Sequence, residues 1–334
     1  MVDFNILHLT DLHYGLEAQK GQLPGVRSRF LKDLRSLMKG PKSVRWGPPD
    51  LVLFTGDLVQ KGAPEEFRAL SALVEELWEA FHEAGGETPL LLAVPGNHDL
   101  KRPDPRASIK VITMLAETND VDVWDDLLKR RGGEYQAVVD DAFAHYMTWW
   151  RGCPHGPHKA RSNLTFHEGV LPGDFSATVI KEGASLGILG LNSTFVQLLA
   201  GDFNRKLAIH NLQFHAACRG DGERWSARHH ACVLLTHQPP GWLAPSYENE
   251  FTKHIDSSDR FAAHFCGHLH KSEARNRGIG GGAVRRLKVG SSLFGLEAQP
   301  GVRDPIVGYA LYRLQLDGDE GSIRAWPRIE VPWI

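Results

Sequence analysis

Leu51-Val52-Leu53-Phe54-Thr55-Gly56-Asp57 is a short apolar run that stops abruptly at a glycine and a carboxylate. A run of this length without polar alternation reads as a strand buried on both faces, the kind that fills a parallel sheet. The same pattern returns on either side. Phe4 to Thr10 delivers Asp11 and His13 onto a loop, and Pro89 to Val94 delivers Gly96-Asn97-His98-Asp99. Between these runs, Val26 to Met38 carries Phe30, Leu31, Leu34 and Leu37 at helical spacing. Pro64 to Ala84 is amphipathic, with Pro64 suited to a first turn and Gly85-Gly86 to an end. This β-α-β-α-β order implies a right-handed parallel sheet of an α/β protein, with the chemistry-bearing loops at one edge.

The second half repeats the device. His230 to Leu235 presents Thr236-His237, and Phe261 to Phe265 presents Cys266-Gly267-His268-Leu269-His270. In an extended segment, residues i and i+2 project the same way, so His268 and His270 reach one small volume. Ligands at the carboxyl ends of strands converge where open α/β sheets place their sites. Ala177 to Lys181 and Leu186 to Leu191 read as a hairpin turned by Glu182-Gly183-Ala184, and Ile209 to Cys218 as a helix. Val284 to Val289, Ile306 to Leu314 and Ser322 to Trp326 read as a finishing antiparallel run. From Leu100 to Arg161 the rhythm changes: Pro103 and Pro105 break the chain, and Val121 to Leu128 and Tyr135 to Trp150 look helical. Residues 100–161 are therefore expected to form a helical insertion over the site within one domain spanning 1–334; a solvated decoration is the alternative.

Composition sets the limits. The 334 residues suffice for one large α/β domain, and 38 basic against 40 acidic side chains give no support for broad electrostatic binding of nucleic acid or membrane. The four cysteines lack C-x-x-C spacing; Cys232 and Cys266 lie in apolar runs and read as buried thiols of a reducing compartment. No apolar run has spanning length, and the strand beginning near Met1 leaves no room for a cleavable signal, so a soluble cytoplasmic protein is expected. His8, inside the first strand, reads as a satisfied interior histidine. Cys153, His155 and His158 lack a fourth zinc ligand and read as incidental. Gly278 to Gly282 lacks a following lysine and helix, so it is a turn and not a phosphate loop.

A paired divalent-metal centre needs a carboxylate able to bridge and nitrogen and oxygen ligands on each side. Asp57 suits the bridge. Asp11, His13 and His270 complete one metal, and Asn97, His237 and His268 the other. His98 beside them suits a donor to a phosphoryl or leaving-group oxygen, with Asp99 to hold its ring.

Asp11-x-His13, Gly56-Asp57, Gly96-Asn97-His98-Asp99, His237 and Gly267-His268-x-His270, in that order, resemble the calcineurin-like metallophosphoesterases. The resemblance implies a four-layer α-β-β-α sandwich, two divalent cations bridged by Asp57, and in-line attack on phosphorus by a bridging hydroxide, with His98 as donor supported by Asp99. Manganese, iron, zinc, cobalt and nickel all suit such ligands. The chain departs from protein serine/threonine phosphatases, having Val59-Gln60-Lys61-Gly62 and Pro95 where those carry phosphate-clamping arginines. Thr55-Gly-Asp-Leu-Val-Gln-Lys-Gly62 and His237-Gln-Pro-Pro240 are most similar to the class III cyclic-nucleotide phosphodiesterases. The expected activity is hydrolysis of phosphodiesters, with small or cyclic nucleotides as substrates. One alternative is a DNA or RNA nuclease within a larger assembly, with a basic groove formed by Lys129, Arg130, Arg131, Lys159, Arg161 or Arg285 and Arg286. Another is a binding module without catalysis.

Overall fold

The computed structural model describes residues 1–16, 23–39, 46–85, 87–106, 108–116, 120–129, 132–257, 260–271, 273–278, 284–294, 307–318 and 320–329. The first half runs β1 (Val2–Leu9), α1 (Leu23–Lys39), β2 (Leu51–Thr55), α2 (Pro64–Glu83) and β3 (Leu90–Val94). β1, β2 and β3 are parallel neighbours in that order, and β2 and β3 are buried along their whole length. α2 begins at Pro64, sets Glu65 and Glu66 in its positive first turn, and buries Phe67, Leu70, Val74, Leu77, Trp78 and Phe81 at three- and four-residue spacing.

Among the described residues four helices follow: α3 (Ile109–Ala116), α4 (Val121–Leu128), α5 (Glu134–Ala142) and α6 (Ala144–Gly152). The expected helix Tyr135 to Trp150 is thus two, broken at Phe143, which is buried. α6 is built into the main core. Tyr146 donates its hydroxyl to the Ala93 carbonyl at 2.9 Å, Trp149 stacks on Phe67, and Trp150 packs on Phe166 and Phe175. Burying aromatic rings of this size contributes about 2 to 3 kcal/mol each. α3, α4 and α5 join a second apolar cluster that includes Phe195, Phe214 and Tyr247.

The chain then forms β4 (Leu164–Glu168), β5 (Phe175–Lys181) and β6 (Ala184–Gly190), with β5 and β6 turned by Glu182 and Gly183, both at positive φ as a tight hairpin requires. α7 (Asn211–Ala217), α8 (Gly222–Ser226), β7 (Ala231–Leu235), α9 (Pro245–Glu250) and β8 (Ala263–Cys266) alternate, and β9 (Glu273–Gly278) and β10 (Val284–Val289) close this part. Among the described residues the second sheet has the order β4-β5-β6-β7-β8-β10-β9. The last strands, β11 (Gly308–Asp317) and β12 (Glu320–Ile329), return to the first sheet, where β11 pairs antiparallel with β1 to give β12-β11-β1-β2-β3.

The expected finishing run is corrected here. β10 is parallel to β8 in one sheet, while β11 and β12 lie in the other. Period-two patterning marks a strand and says nothing of which sheet receives it. One core cluster holds residues of both sheets, and Phe265 of the second meets Tyr312 of the first edge to face at 5.0 Å. The protein is thus a mixed α/β fold with two sheets packed together and helices flanking them. All four cysteines are buried and free, and no described helix is long and apolar enough to cross a membrane.

Candidate metal centre

The loops after β1, β2, β3, β7 and β8 meet at one end of the sandwich. Asp11, His13, Asp57 and His270 bring ligand atoms within 4.8 Å of one another, and Asp57, His237 and His268 do the same. Asp57 belongs to both groups. Its Oδ1 accepts from the His98 backbone N–H at 2.8 Å, and its Oδ2 lies 3.2 Å from His237 Nε2 and 3.7 Å from His13 Nε2. Asn97 Oδ1 stands 3.2 Å from His237 Nε2, His268 Nδ1 3.3 Å from the same nitrogen, and His270 Nε2 3.3 Å from both Asp11 Oδ1 and His13 Nε2. All seven side chains singled out in the sequence therefore converge on one place.

The backbone is strained to achieve this. Asp11, His13, Asp57, His268 and His270 all sit at φ between 47° and 70°, a region that side-chain-bearing residues seldom occupy and that collects at functional sites. The glycines beside them allow the close approach. A Cβ on Gly96 would fall 2.2 Å from Asp57 Oδ1, and one on Gly267 1.9 Å from Thr10 Oγ1.

Hydrogen bonds on the far side of each ring settle which nitrogen faces inward. His237 Nδ1 donates to the Thr55 carbonyl at 2.8 Å, and His13 Nδ1 donates to Gln60 Oε1 at 3.0 Å, so both Nε2 atoms point into the cluster. Burial pushes His13 down to about 4 and His268 down to about 3, so both are neutral donors of a lone pair at pH 7. Burial also opposes charge on His237, yet the Asp57 carboxylate outweighs it and lifts His237 to about 9. Asp57 is buried too, but His237 and His98 hold it well below the usual carboxylate range. Anionic oxygens, neutral imidazoles and two imidazoles that keep protons only through their carboxylate partners form a donor set that fits divalent cations.

Asp99 does something other than expected. Its Oδ1 accepts from the backbone N–H groups of Leu58 and Val59 at 2.8 and 3.0 Å, and its Oδ2 from Gly96 N at 2.8 Å. It ties the loop after β2 to the loop after β3, and burial followed by the Asp57 charge pushes it up to about 8. The His98 ring is oriented instead by the Gln60 carbonyl, which accepts from Nδ1 at 2.9 Å. In the sequence Gln60 counts only as part of a motif, with no role of its own. Trp242, whose ring meets that of His268 at 4.0 Å, and Arg102, whose Nη2 donates to the Asn97 carbonyl at 3.3 Å, were not singled out at all. Their only sequence signal was closeness to His237 and Asp99.

His155 and His158 pair with Glu75 and Glu168 and take no part in the centre. Among the basic residues considered for a groove, Arg130 and Arg131 lie outside the described residues. Lys129 pairs with Asp125, Arg161 donates to the Thr88 and Pro89 carbonyls, and Arg285 donates to the Thr252 carbonyl. Arg161 lines a cavity of about 480 Å³ beside Asp50, and Arg286 lines a different one of about 750 Å³ beside Leu314.

Solved structures resembling the chain include a Staphylococcus aureus protein provisionally described as a 5'-nucleotidase (12% identity, TM-score 0.49, covering 99% of this chain and 55% of that one). Others are GAP50 of Plasmodium (10%, 0.46, 98% and 84%) and the calcineurin-like phosphoesterase YfkN of Bacillus subtilis (12%, 0.41, 98% and 91%). The chain thus spans about half the length of the first of these. No curated protein sequence matches it. The family model for calcineurin-like phosphoesterases matches residues 4–272, which contain every residue of the centre, and the chain belongs to that family.

Proposed function

We propose that the protein is a metal-dependent hydrolase of phosphodiesters, with small or cyclic nucleotides as its substrates. The observation that carries this reading is the sharing of Asp57 between two donor groups at the mouth of one loop cluster. Asp11, His13, Asp57 and His270 would hold one divalent cation, and Asp57, Asn97, His237 and His268 a second. Cations bound there supply Lewis acidity to a phosphoryl group. The chain's own residues do the rest. His98, its Nδ1 committed to the Gln60 carbonyl, keeps Nε2 for a proton passed to the leaving oxygen. Asp99 holds the loops that carry Asp57 and Asn97 at fixed separation. The reading that segment 100–161 borders the centre is supported by Arg102, whose Nη2 donates to the Asn97 carbonyl at 3.3 Å.

The dispersal of Arg161 and Arg286 between separate cavities favours a small substrate over a long nucleic acid, which needs a continuous basic track. Incubating protein loaded with manganese, zinc or iron with cyclic mononucleotides, dinucleotides and bis-p-nitrophenyl phosphate tests the reading. Turnover that stops on chelation is expected. Intact diesters under every metal would dispose of it.

A further inference from the structure

Arg102 is the cationic side chain that the centre's own loop sends to its rim. It lies three residues beyond Asp99, and its guanidinium reaches back to donate one hydrogen bond, from Nη2 to the Asn97 carbonyl at 3.3 Å. No carboxylate lies within ion-pair distance of it among the described residues, whereas its neighbour Lys101 faces Asp141 at 3.7 Å. A guanidinium has five N–H donors, so four of them have no acceptor among the described residues. The side chain stays open to solvent. The charge it feels most is that of Asp57, the shared carboxylate.

Its support is rigid. Leu100 is buried against Gly62, where an added Cβ would meet the Leu100 carbonyl carbon at 2.5 Å. The Lys101 N–H is bound to Ala142 at 2.8 Å, and Pro103 limits the backbone on the other side. Holding a charged fork in one place before a ligand arrives removes part of the ordering cost of binding. A planar fork matches two oxygens of a tetrahedral oxyanion.

Resting on the hydrolase reading above, we infer that Arg102 is a substrate-binding residue, holding a non-bridging phosphoryl oxygen of the ester on the Asn97, His237 and His268 side of the centre. The sequence lacks arginines at the positions where related phosphatases clamp phosphate, and the loop after β3 supplies one from a different place. The alternative is that Arg102 only tethers the Asn97 carbonyl, which would make it a prop for a metal ligand.

The test is isothermal titration of the metal-loaded full chain with inorganic phosphate, alongside kinetics on bis-p-nitrophenyl phosphate. Arg102→Ala is expected to weaken phosphate binding about ten- to hundredfold, the usual loss for a charge-assisted hydrogen bond, and to raise KM by a similar factor with a smaller change in kcat. Arg102→Lys should recover part of both, because the charge is kept and the fork is lost. Bound metal per chain and the unfolding midpoint should match the parent in both variants. Phosphate binding unchanged in Arg102→Ala overturns the inference, as does a loss of bound metal, which assigns the residue to Asn97. If the parent binds phosphate but hydrolyses no ester, the hydrolase reading falls and the titration still judges Arg102. If the parent binds no phosphate, the inference falls with it.

Discussion

His98 is oriented by the main chain of Gln60, whose carbonyl oxygen accepts from the ring Nδ1 at 2.9 Å. A backbone acceptor has two consequences. It holds the Nδ1–H and leaves Nε2 facing the centre, where the ring passes on a proton only as the doubly protonated imidazolium, and it cannot be deleted by changing the Gln60 side chain. His98→Ala is therefore expected to lower kcat by about 10²- to 10⁴-fold with metal content unchanged. Gln60→Ala should leave the His98 ring in place and act through the lost 3.0 Å contact to His13, weakening metal retention more than turnover. Equal kcat for His98→Ala and the parent at saturating metal would remove His98 from the chemistry.

Asp99 is a brace. Three buried backbone N–H groups depend on its carboxylate, and an unpaired buried donor costs about 1 to 3 kcal/mol. Asp99→Ala should lose roughly 3 kcal/mol or more of unfolding free energy in a denaturant titration. Asp99→Asn, which keeps one acceptor oxygen but faces Gly96 N with an NH₂, should lose less. A stable Asp99→Ala protein with impaired turnover would return the residue to a role beside His98.

Asp57 serves both donor groups, while His13 and His268 each serve one. Elemental analysis after reconstitution should find Asp57→Ala depleted of both cations. His13→Ala and His268→Ala should each lose about one, with second-sphere losses of about 10- to 100-fold in affinity when only Gln60 is changed. Equal depletion in all three variants would mean that the two groups act as a single site.

Away from the centre, Glu168 on β4 accepts from Arg151 at 2.9 and 2.6 Å and from His158 at 2.7 Å. The Arg151 and His158 hydrogen bonds pull its carboxyl from 4.5 down to about 2. A carboxyl lowered on folding stabilises the fold above its unfolded value, and that contribution fades as pH falls from about 4.5 through about 2. The network is partly solvated, so its size is about 1 kcal/mol. Glu168→Gln should accordingly be less stable than the parent at pH 7, and the two should converge as denaturant titrations move from pH 5 to pH 3. A gap that is constant with pH would show that packing, not charge, sets it.

Chelation should lower the thermal midpoint as well as stop turnover. His13 Nε2 and His270 Nε2 face each other at 3.3 Å, and so do His237 Nε2 and His268 Nδ1, while five ligand residues hold left-handed backbone. A ligand that binds only the folded state stabilises it in proportion to the logarithm of its concentration, so differential scanning should show a midpoint that rises with metal. A midpoint indifferent to metal and chelator would count against cation binding.

Much of the molecule was legible in the chain alone, and the reason is local. Leu51 to Thr55 must be a buried strand because nothing in it can face water, and the glycine and carboxylate that follow must then stand at its carboxyl end. The same reasoning applied to Asp11, His13, Asn97, His237, His268 and His270 named the candidate ligands that the fold brings together, but not Gln60, Trp242 or Arg102 beside them. Tertiary structure decided what periodicity does not encode. A break at Phe143 divides one expected helix into α5 and α6, and pairing between distant strands sent β10 to one sheet and β11 and β12 to the other. Asp99 went to the backbone and His98 to Gln60, and Arg102 came back to Asn97, because hydrogen-bond partners are chosen by distance and direction after the loops have met. The sequence determined which groups arrive at the end of each strand; only the packed fold determined which of them touch.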